Sequence, residues 1–479
     1  MSAEDLKNQG NKALLSGHYN DAVDLYSQAI ELNPQSAVYF ANRAQAHIKN
    51  EAYGLAIEDS SKAIELDPTY IKAYFRRAVS NTAIIKHKEA LVDFKKVVQL
   101  APADNAAKVR LNECQKLVRK AAFALAIAVE EGPALSEQID LDLAKIDDAY
   151  DGVRIDDGYD ENDKPVFTVT QKFVDDLVER FRNGKLLHLR YVYAIVVGAI
   201  KLFKEEPTMV ETDVPEGTTT TVCGDTHGQF FDLLEIFKLN GWPSATHRYV
   251  FNGDFVDRGS WSAEIAILLY ALKLLNPTSI YMNRGNHETD DMNAVYGFEG
   301  EIKHKYNERT FKLFSESFSA LPLAHLIGGA YFVVHGGLFS KDGVTLDDIR
   351  AYSRFSRKQP GNSGLMMEML WTDPQPENGR SPSQRGVGIR FGPDVTEAFC
   401  KENGLKGVLR SHEVRMGGYE VEHNGKLVTV FSAPNYCDSQ GNKGAYINIG
   451  HDLEMQFNVF EAQPHPDVKP MAYSNRLMG

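Results

Sequence analysis

The chain has 479 residues, 43% of them hydrophobic and 24% charged, an ordinary globular balance with length for two or three cores. A net charge of −13 without a basic stripe argues against a nucleic-acid binder. Four scattered cysteines, Cys114, Cys223, Cys400 and Cys437, argue against a disulfide framework or a cysteine zinc site and fit a reducing compartment. The opening MSAEDLKNQG lacks the apolar core of a secretory signal. The longest apolar runs, 191–203 and 263–275, carry a lysine or glutamate and are too short to span a bilayer. A soluble monomer of the cytoplasm or nucleus is expected.

The first 128 residues repeat. Pro34, Pro68 and Pro102 lie 34 residues apart, and the same step relates Ala22, Ala56 and Ala90; Gly10, Ala44 and Ala78; and Ala29, Ala63 and Val97. Small residues at fixed offsets let paired helices approach closely, and the proline ends each pair. The pattern resembles the tetratricopeptide repeat, three copies over about 3–104, with 105–128 as a capping helix over the last open face. Lys7 and Asn11 share a helix face, Asn42 lies on the next inner helix, and Lys72 and Arg76 share a face on the third. Their spacing puts all five on the concave side, where converging cationic and amide donors would suit a terminal carboxylate. They resemble the carboxylate clamp by which such repeats hold a heat-shock chaperone tail. The resemblance implies heat-shock protein 90, and its 70-kilodalton counterpart, as partners.

Residues 129–165 follow, with thirteen Asp/Glu against three Lys/Arg and the breakers Gly132, Pro133, Gly152 and Gly158. Such a run predicts a solvated, flexible linker. Beyond it, 168–183 and 187–204 predict amphipathic helices. Short β-rich runs then alternate with helical ones at 218–222, 249–251, 279–282 and 331–334. This predicts an α/β sandwich with its active site on loops at strand ends. Each run leads into a polar cluster: Gly224-Asp225-Thr226-His227-Gly228, Gly253-Asp254-Phe255-Val256-Asp257-Arg258-Gly259, Arg284-Gly285-Asn286-His287-Glu288, and His335-Gly336-Gly337. A later cluster is Arg410-Ser411-His412-Glu413. Each alone is weak, but carboxylates and imidazoles flanked by glycines together suit a pair of divalent metals.

These clusters resemble the GDxHG, GDxVDRG and GNHE signatures of the phosphoprotein phosphatase family. Ser432-Ala433-Pro434-Asn435-Tyr436-Cys437 resembles the SAPNYC signature of its eukaryotic protein phosphatases. The resemblance covers about 166–460 and implies a metallophosphoesterase β-sandwich flanked by helices. It implies that Asp225 and His227 bind one metal, Asp254 bridges both, and Asn286, His335 and His412 complete the second. A water or hydroxide between the two would attack phosphoserine or phosphothreonine directly, with manganese or magnesium expected and iron or zinc open. His287 would be the general acid, oriented by Asp257. Arg258, Arg385, Asn286 and Tyr436 would hold the substrate phosphate. One branch of the family carries such repeats ahead of the catalytic domain, and 463–473 also resemble its C-terminal end. That implies repeats folded over the cleft as an inhibitory lid, held partly by a short helix at 473–478 in the tail 461–479, and released by chaperone tails or fatty acids. Two other readings are a small-molecule metallophosphoesterase, against which SAPNYC and the repeats argue, and a catalytically weak co-chaperone scaffold, against which the intact signature residues argue.

Overall fold

The 34-residue period becomes helices in pairs: Ala3–Leu15 with Tyr19–Leu32, Ala37–Lys49 with Tyr53–Leu66, and Ile71–Ala83 with His87–Leu100, followed by Asn105–Ala126. The protein is represented by a computed structural model that describes residues 1–126, 133–141, 144–155, 158–159 and 165–474. Ala22, Ala29, Ala44, Ala56, Ala63, Ala78 and Ala90 are fully buried, so the small positions of the repeat are its helix–helix seams. Gly10 stands where later repeats have alanine, because a Cβ there would lie 2.7 Å from the Tyr26 ring. One periodic feature escaped the sequence reading. Arg43 makes a two-pronged ion pair with Asp59 at 2.8 and 2.7 Å and donates to Ser27 at 3.0 Å. Thirty-four residues on, Arg77 does the same with Asp93 and Ser61. Each ion pair joins the two helices of one repeat, and the bond to serine ties that repeat to the one before it.

The described chain divides into two compact units. One holds the repeats together with Pro382–Gly388; the other holds the described parts of Gly132–Ser381 and Ile389–Ser474. Within the second, the acidic stretch differs from the expected solvated linker. Leu135, Ile139, Leu141, Ile146, Tyr150, Val153 and Ile155 pack against that unit's helical core. The Ser136 amide and hydroxyl donate to Glu316 at 3.0 and 2.6 Å, and Asp151 pairs with Arg180 at 2.6 Å. The charges face outward while apolar residues threaded between them find a groove, a pattern that a count of charge conceals.

Two mixed sheets form the frame. Their orders are Tyr419–Glu422, Leu427–Val430, Gly407–Arg410, Tyr331–Val334, Ala324–Ile327, Met209–Thr212 and, in the second, Met455–Phe460, Gly444–Ile449, Thr219–Cys223, His247–Phe251, Ile280–Met282. Val222, Val250, Val333, Val428 and Ile447 belong to one cluster drawn from both sheets, an apolar layer the two share. The helices Gln171–Arg182, Leu189–Glu205 and Ser262–Leu275 build the second core. Thr219–Cys223, His247–Phe251 and Ile280–Met282 run parallel, with Cys223 beside Phe251 and Phe251 beside Met282. Tyr331–Val334 and Gly407–Arg410 are likewise parallel in the other sheet. Parallel pairing brings carboxyl ends to one edge of each sheet, and an isolated bridge from Asp225 to Phe431 joins the sheets there.

Candidate metal centre and active site

Each cluster sits in the loop that leaves a strand. Asp225 and His227 follow Thr219–Cys223, Asp254 and Asp257 follow His247–Phe251, and Asn286 and His287 follow Ile280–Met282. His335 follows Tyr331–Val334 and His412 follows Gly407–Arg410. These loops turn too sharply for ordinary backbone. His227 (φ 38°), Asp254 (51°), Asp257 (69°), Arg258 (69°) and His412 (71°) all occupy the left-handed region. Non-glycine residues persist there only when their surroundings hold them. Gly224 and Gly285 are required at close approaches: a Cβ on Gly224 would meet the Val430 carbonyl, and one on Gly285 would meet Asp254.

The expected ligands converge. Asp225, His227, Asp254, Asn286, His335 and His412 are all buried. Donor atoms of His227, Asp254 and His287 lie within 4.8 Å of one another, and so do those of Asp254, His335 and His412. Asp254 is common to both groups. Asp225 Oδ2 lies 3.6 Å from His227 Nε2, its Oδ1 accepts from the His412 amide at 3.1 Å, and the Asn286 side chain meets His335 Nε2 at 2.9 Å. His227 Nδ1 donates to the Val256 carbonyl at 2.9 Å and His335 Nδ1 to that of Asn252 at 2.8 Å. Those bonds set the tautomer and leave each Nε2 as a lone-pair donor facing the cluster. Burial pushes the Asp225 carboxyl up to about 8, with the Asp254 charge adding to it. Burial also holds His227 and His335 below the ordinary imidazole value. Neutral imidazoles beside crowded carboxylates whose charge lacks solvent form a donor set that fits divalent cations.

His287 differs from the other imidazoles. Its Nδ1 donates to Asp257 Oδ2 at 2.8 Å and its ring meets the His227 ring edge-on at 4.7 Å. Asp257 also accepts from Asn293 at 3.0 Å and from the Phe298 amide at 2.8 Å, which oppose the burial that raises it to about 7. Arg258 lies over the Tyr296 ring, 3.9 Å from its centroid. Tyr436 is buried, its ring 5.2 Å from that of His227. Arg385 belongs to Pro382–Gly388, which clusters with the repeats, and its guanidinium is 3.6 Å from Glu51.

Among the repeats, Tyr26 donates to Asn11 Oδ1 at 2.7 Å and Asn42 donates to the same oxygen at 3.2 Å. Arg76 donates to Asn42 at 3.3 Å and to Gln45 at 3.1 Å. Asn11, Asn42 and Arg76 thus form one polar chain across three inner helices. Lys72 is exposed one turn before Arg76, and Lys7 is half-buried and paired with Glu4.

Three supporting residues have no role assigned from the sequence. Glu288 accepts from the amides of Asp254, Phe255 and Gly285 at 2.8, 3.0 and 2.8 Å, so one carboxylate joins two metal-site loops. Its sequence signal is its place at the end of the Gly285-Asn286-His287-Glu288 signature. Asn293 and Tyr296 sit on the helix Asp290–Tyr296 and reach Asp257 and Arg258 respectively. Their spacing carries no local motif.

Comparison with known proteins matches residues 218–416 to the calcineurin-like phosphoesterase family, 111–211 to a PPP5 TPR repeat region, and 37–70 to a tetratricopeptide repeat. The chain is 60% identical to serine/threonine-protein phosphatase T of Aspergillus oryzae, across 100% of this chain and 98% of that protein. It is 51% identical to human serine/threonine-protein phosphatase 5, across 99% and 94%. A solved protein serine/threonine phosphatase from Saccharomyces cerevisiae, described as similar to human phosphatase PP5, is 50% identical. It superposes with a TM-score of 0.61 over 64% of this chain and all of that one.

Proposed function

The chain belongs to the family of serine/threonine-protein phosphatases 5 and T, and from that premise we propose how its own residues perform phosphoester hydrolysis. The chain is a protein serine/threonine phosphatase with a tetratricopeptide array and a metallophosphoesterase unit. The observation that carries the proposal is Asp254, shared by both donor clusters with the His287–Asp257 pair beside it. Asp225 and His227 would hold one divalent cation, and Asn286, His335 and His412 a second, with Asp254 common to both sets of donors. When bound, the two cations supply Lewis acidity that activates water near neutral pH and offsets phosphoryl charge. Arg258, its guanidinium oriented by Tyr296, binds the non-bridging oxygens with two parallel hydrogen bonds. His287 Nε2 delivers a proton to the leaving serine or threonine oxygen while Asp257 favours the imidazolium that gives it. The thiolate-free set of three oxygen and three imidazole donors accommodates manganese or magnesium, and equally iron or zinc.

The test is metal binding by the full chain, with phosphate release from a phosphoserine peptide. Two ions per chain in the native protein, and loss of both stoichiometry and turnover in Asp254→Asn, are expected. Faster hydrolysis of dinucleoside polyphosphates than of phosphoserine peptide would sink the protein-phosphatase substrate reading.

The repeats bind the acidic C-terminal tail of a heat-shock chaperone through Lys7, Asn11, Asn42, Lys72 and Arg76. The Asn11–Asn42–Arg76 chain supports this, because it pre-orients amide and guanidinium donors. A tail peptide with a free C-terminus should bind, and the same peptide amidated should not. The repeats also restrain the enzyme as a lid. A fragment that tests this should begin at Gly132 and so keep most of the acidic stretch, since Leu135, Ile139, Leu141, Ile146, Tyr150, Val153 and Ile155 pack on the catalytic core. Equal activity of that fragment and the full chain would end the lid reading. The C-terminal helix expected at 473–478 lies largely outside the described residues.

A further inference from the structure

The loop that carries Arg258 is strained, with Asp257 and Arg258 both left-handed in succession. Something must hold it there. Part of the hold is local: the Arg258 amide donates to the Tyr296 carbonyl at 3.2 Å and the Gly259 amide to that of His227 at 2.8 Å. A further part comes from the far end of the chain. The Met471 amide donates to the Arg258 carbonyl at 2.7 Å, and the Ser260 hydroxyl donates to the Lys469 carbonyl at 2.8 Å. Met471 is itself left-handed, at φ 56°, so strained backbone meets strained backbone.

The segment delivering these bonds is pinned on both sides. Before it, the Gln463 amide donates to Asp232 at 2.7 Å, and His465 meets Asp438 at 3.1 Å and the Trp261 ring at 5.1 Å. After it, Tyr473 lies against His304 at 5.2 Å and under the Lys305 ammonium at 5.7 Å. Lys305 returns to the same loop by donating to the Ser260 carbonyl at 3.0 Å. The contact at Tyr473 is tight, since a Cβ on Gly300 would collide with the Tyr473 carbonyl oxygen.

We propose that residues 463–474 are a positioning strap that holds the Arg258 backbone so that its guanidinium meets the substrate phosphate. The proposal rests on the reading of Arg258 as the phosphate-binding arginine. The strap never touches substrate. It adds to catalysis by removing loop conformations in which the guanidinium points elsewhere. This role differs in sign from that of a tail which merely restrains a lid, because losing the strap impairs phosphate binding rather than releasing activity.

Gly300→Ala is the sharpest variant. Gly300 lies within the helix Phe298–Lys305, where alanine favours folding, yet the new methyl displaces the strap at Tyr473. Ser260→Ala removes one strap bond, and Ser260→Thr restores the hydroxyl. The full chain with manganese is assayed on a phosphoserine peptide, with inorganic phosphate as competing ligand and melting temperature as a control for folding. Gly300→Ala and Ser260→Ala are expected to raise KM and the phosphate inhibition constant together, about five- to tenfold, as for a charge-assisted hydrogen bond weakened but not lost. Their kcat should stay within about twofold, and Ser260→Thr should recover the native constants. Unchanged KM and phosphate inhibition in folded Gly300→Ala and Ser260→Ala overturn the strap, as does a rise in activity at unchanged KM, which marks a lid latch instead. Arg258→Ala separates the two levels. If it leaves phosphate inhibition unaltered, the reading of Arg258 has failed. If it weakens inhibition while the strap variants do not, only the strap has failed.

Discussion

The repeat unit and the catalytic unit solve opposite problems. In the repeats, each contact recurs every 34 residues: alanines at 22, 56 and 90 fill the same seam, and the clasp of Arg43 with Asp59 returns as Arg77 with Asp93. In the catalytic unit nothing at the centre recurs. Asp225 and His412 are 187 residues apart in sequence and share one hydrogen bond, and left-handed residues hold the loops between. The contrast teaches that periodic architecture spreads its stability over many equivalent small terms. A metal site instead concentrates its function in a few residues, each without a substitute.

Perturbing the catalytic side should therefore give the larger effects. Asp254→Asn removes the carboxylate shared by both clusters, so turnover should fall below detection along with metal stoichiometry. A folded Asp254→Asn that keeps both would break the comparison outright. His287→Gln should lower kcat by about 10²- to 10⁴-fold with little change in metal binding, as for loss of a general acid. A loss of one bound ion in that variant would make His287 a ligand rather than the acid.

The repeat side should respond in smaller steps. Burial holds His87 at about 4, well below the value of 6.5 expected in the unfolded chain. Because the unfolded state takes the proton first, the repeats keep their full stability above pH 6.5 and lose it as pH falls toward 4. The loss reaches about 3 kcal/mol at most. Thermal unfolding of the repeats followed from pH 7 to pH 4 measures it, and His87→Gln should flatten that slope. Ala56→Leu overfills a fully buried seam and should destabilise the array by about 1–3 kcal/mol, read by melting temperature. Lys72→Ala is exposed and should cost only about 1 kcal/mol of tail-peptide affinity, read by titration of the labelled peptide, with the array's melting point unchanged.

Legibility followed the same divide. Three 34-residue phrases were enough to place six helices, and strand runs such as 249–251 were found within a few residues of the observed His247–Phe251. The metal-site residues were named through the resemblance to the phosphatase signatures, and all but His412 stand beside a glycine in the loop that leaves a strand. Asn293 and Tyr296 were not, since what makes them matter is the arrival of Asp257 and Arg258 from another loop. The acidic stretch misled because charge was counted and the apolar residues between the acids were not.

By itself, then, the sequence determined the local elements: helix pairing by small residues, strands by β-rich runs, and donor chemistry by residue type. Those depend on neighbours three, four or thirty-four positions away, which a linear text displays. Tertiary structure alone decided that Glu288 joins two loops and that Met471 reaches Arg258. Such contacts arise from parallel strands bringing their carboxyl ends to a common edge and from a chain end returning across the unit. Their separation in sequence carries no period or spacing from which they could be read.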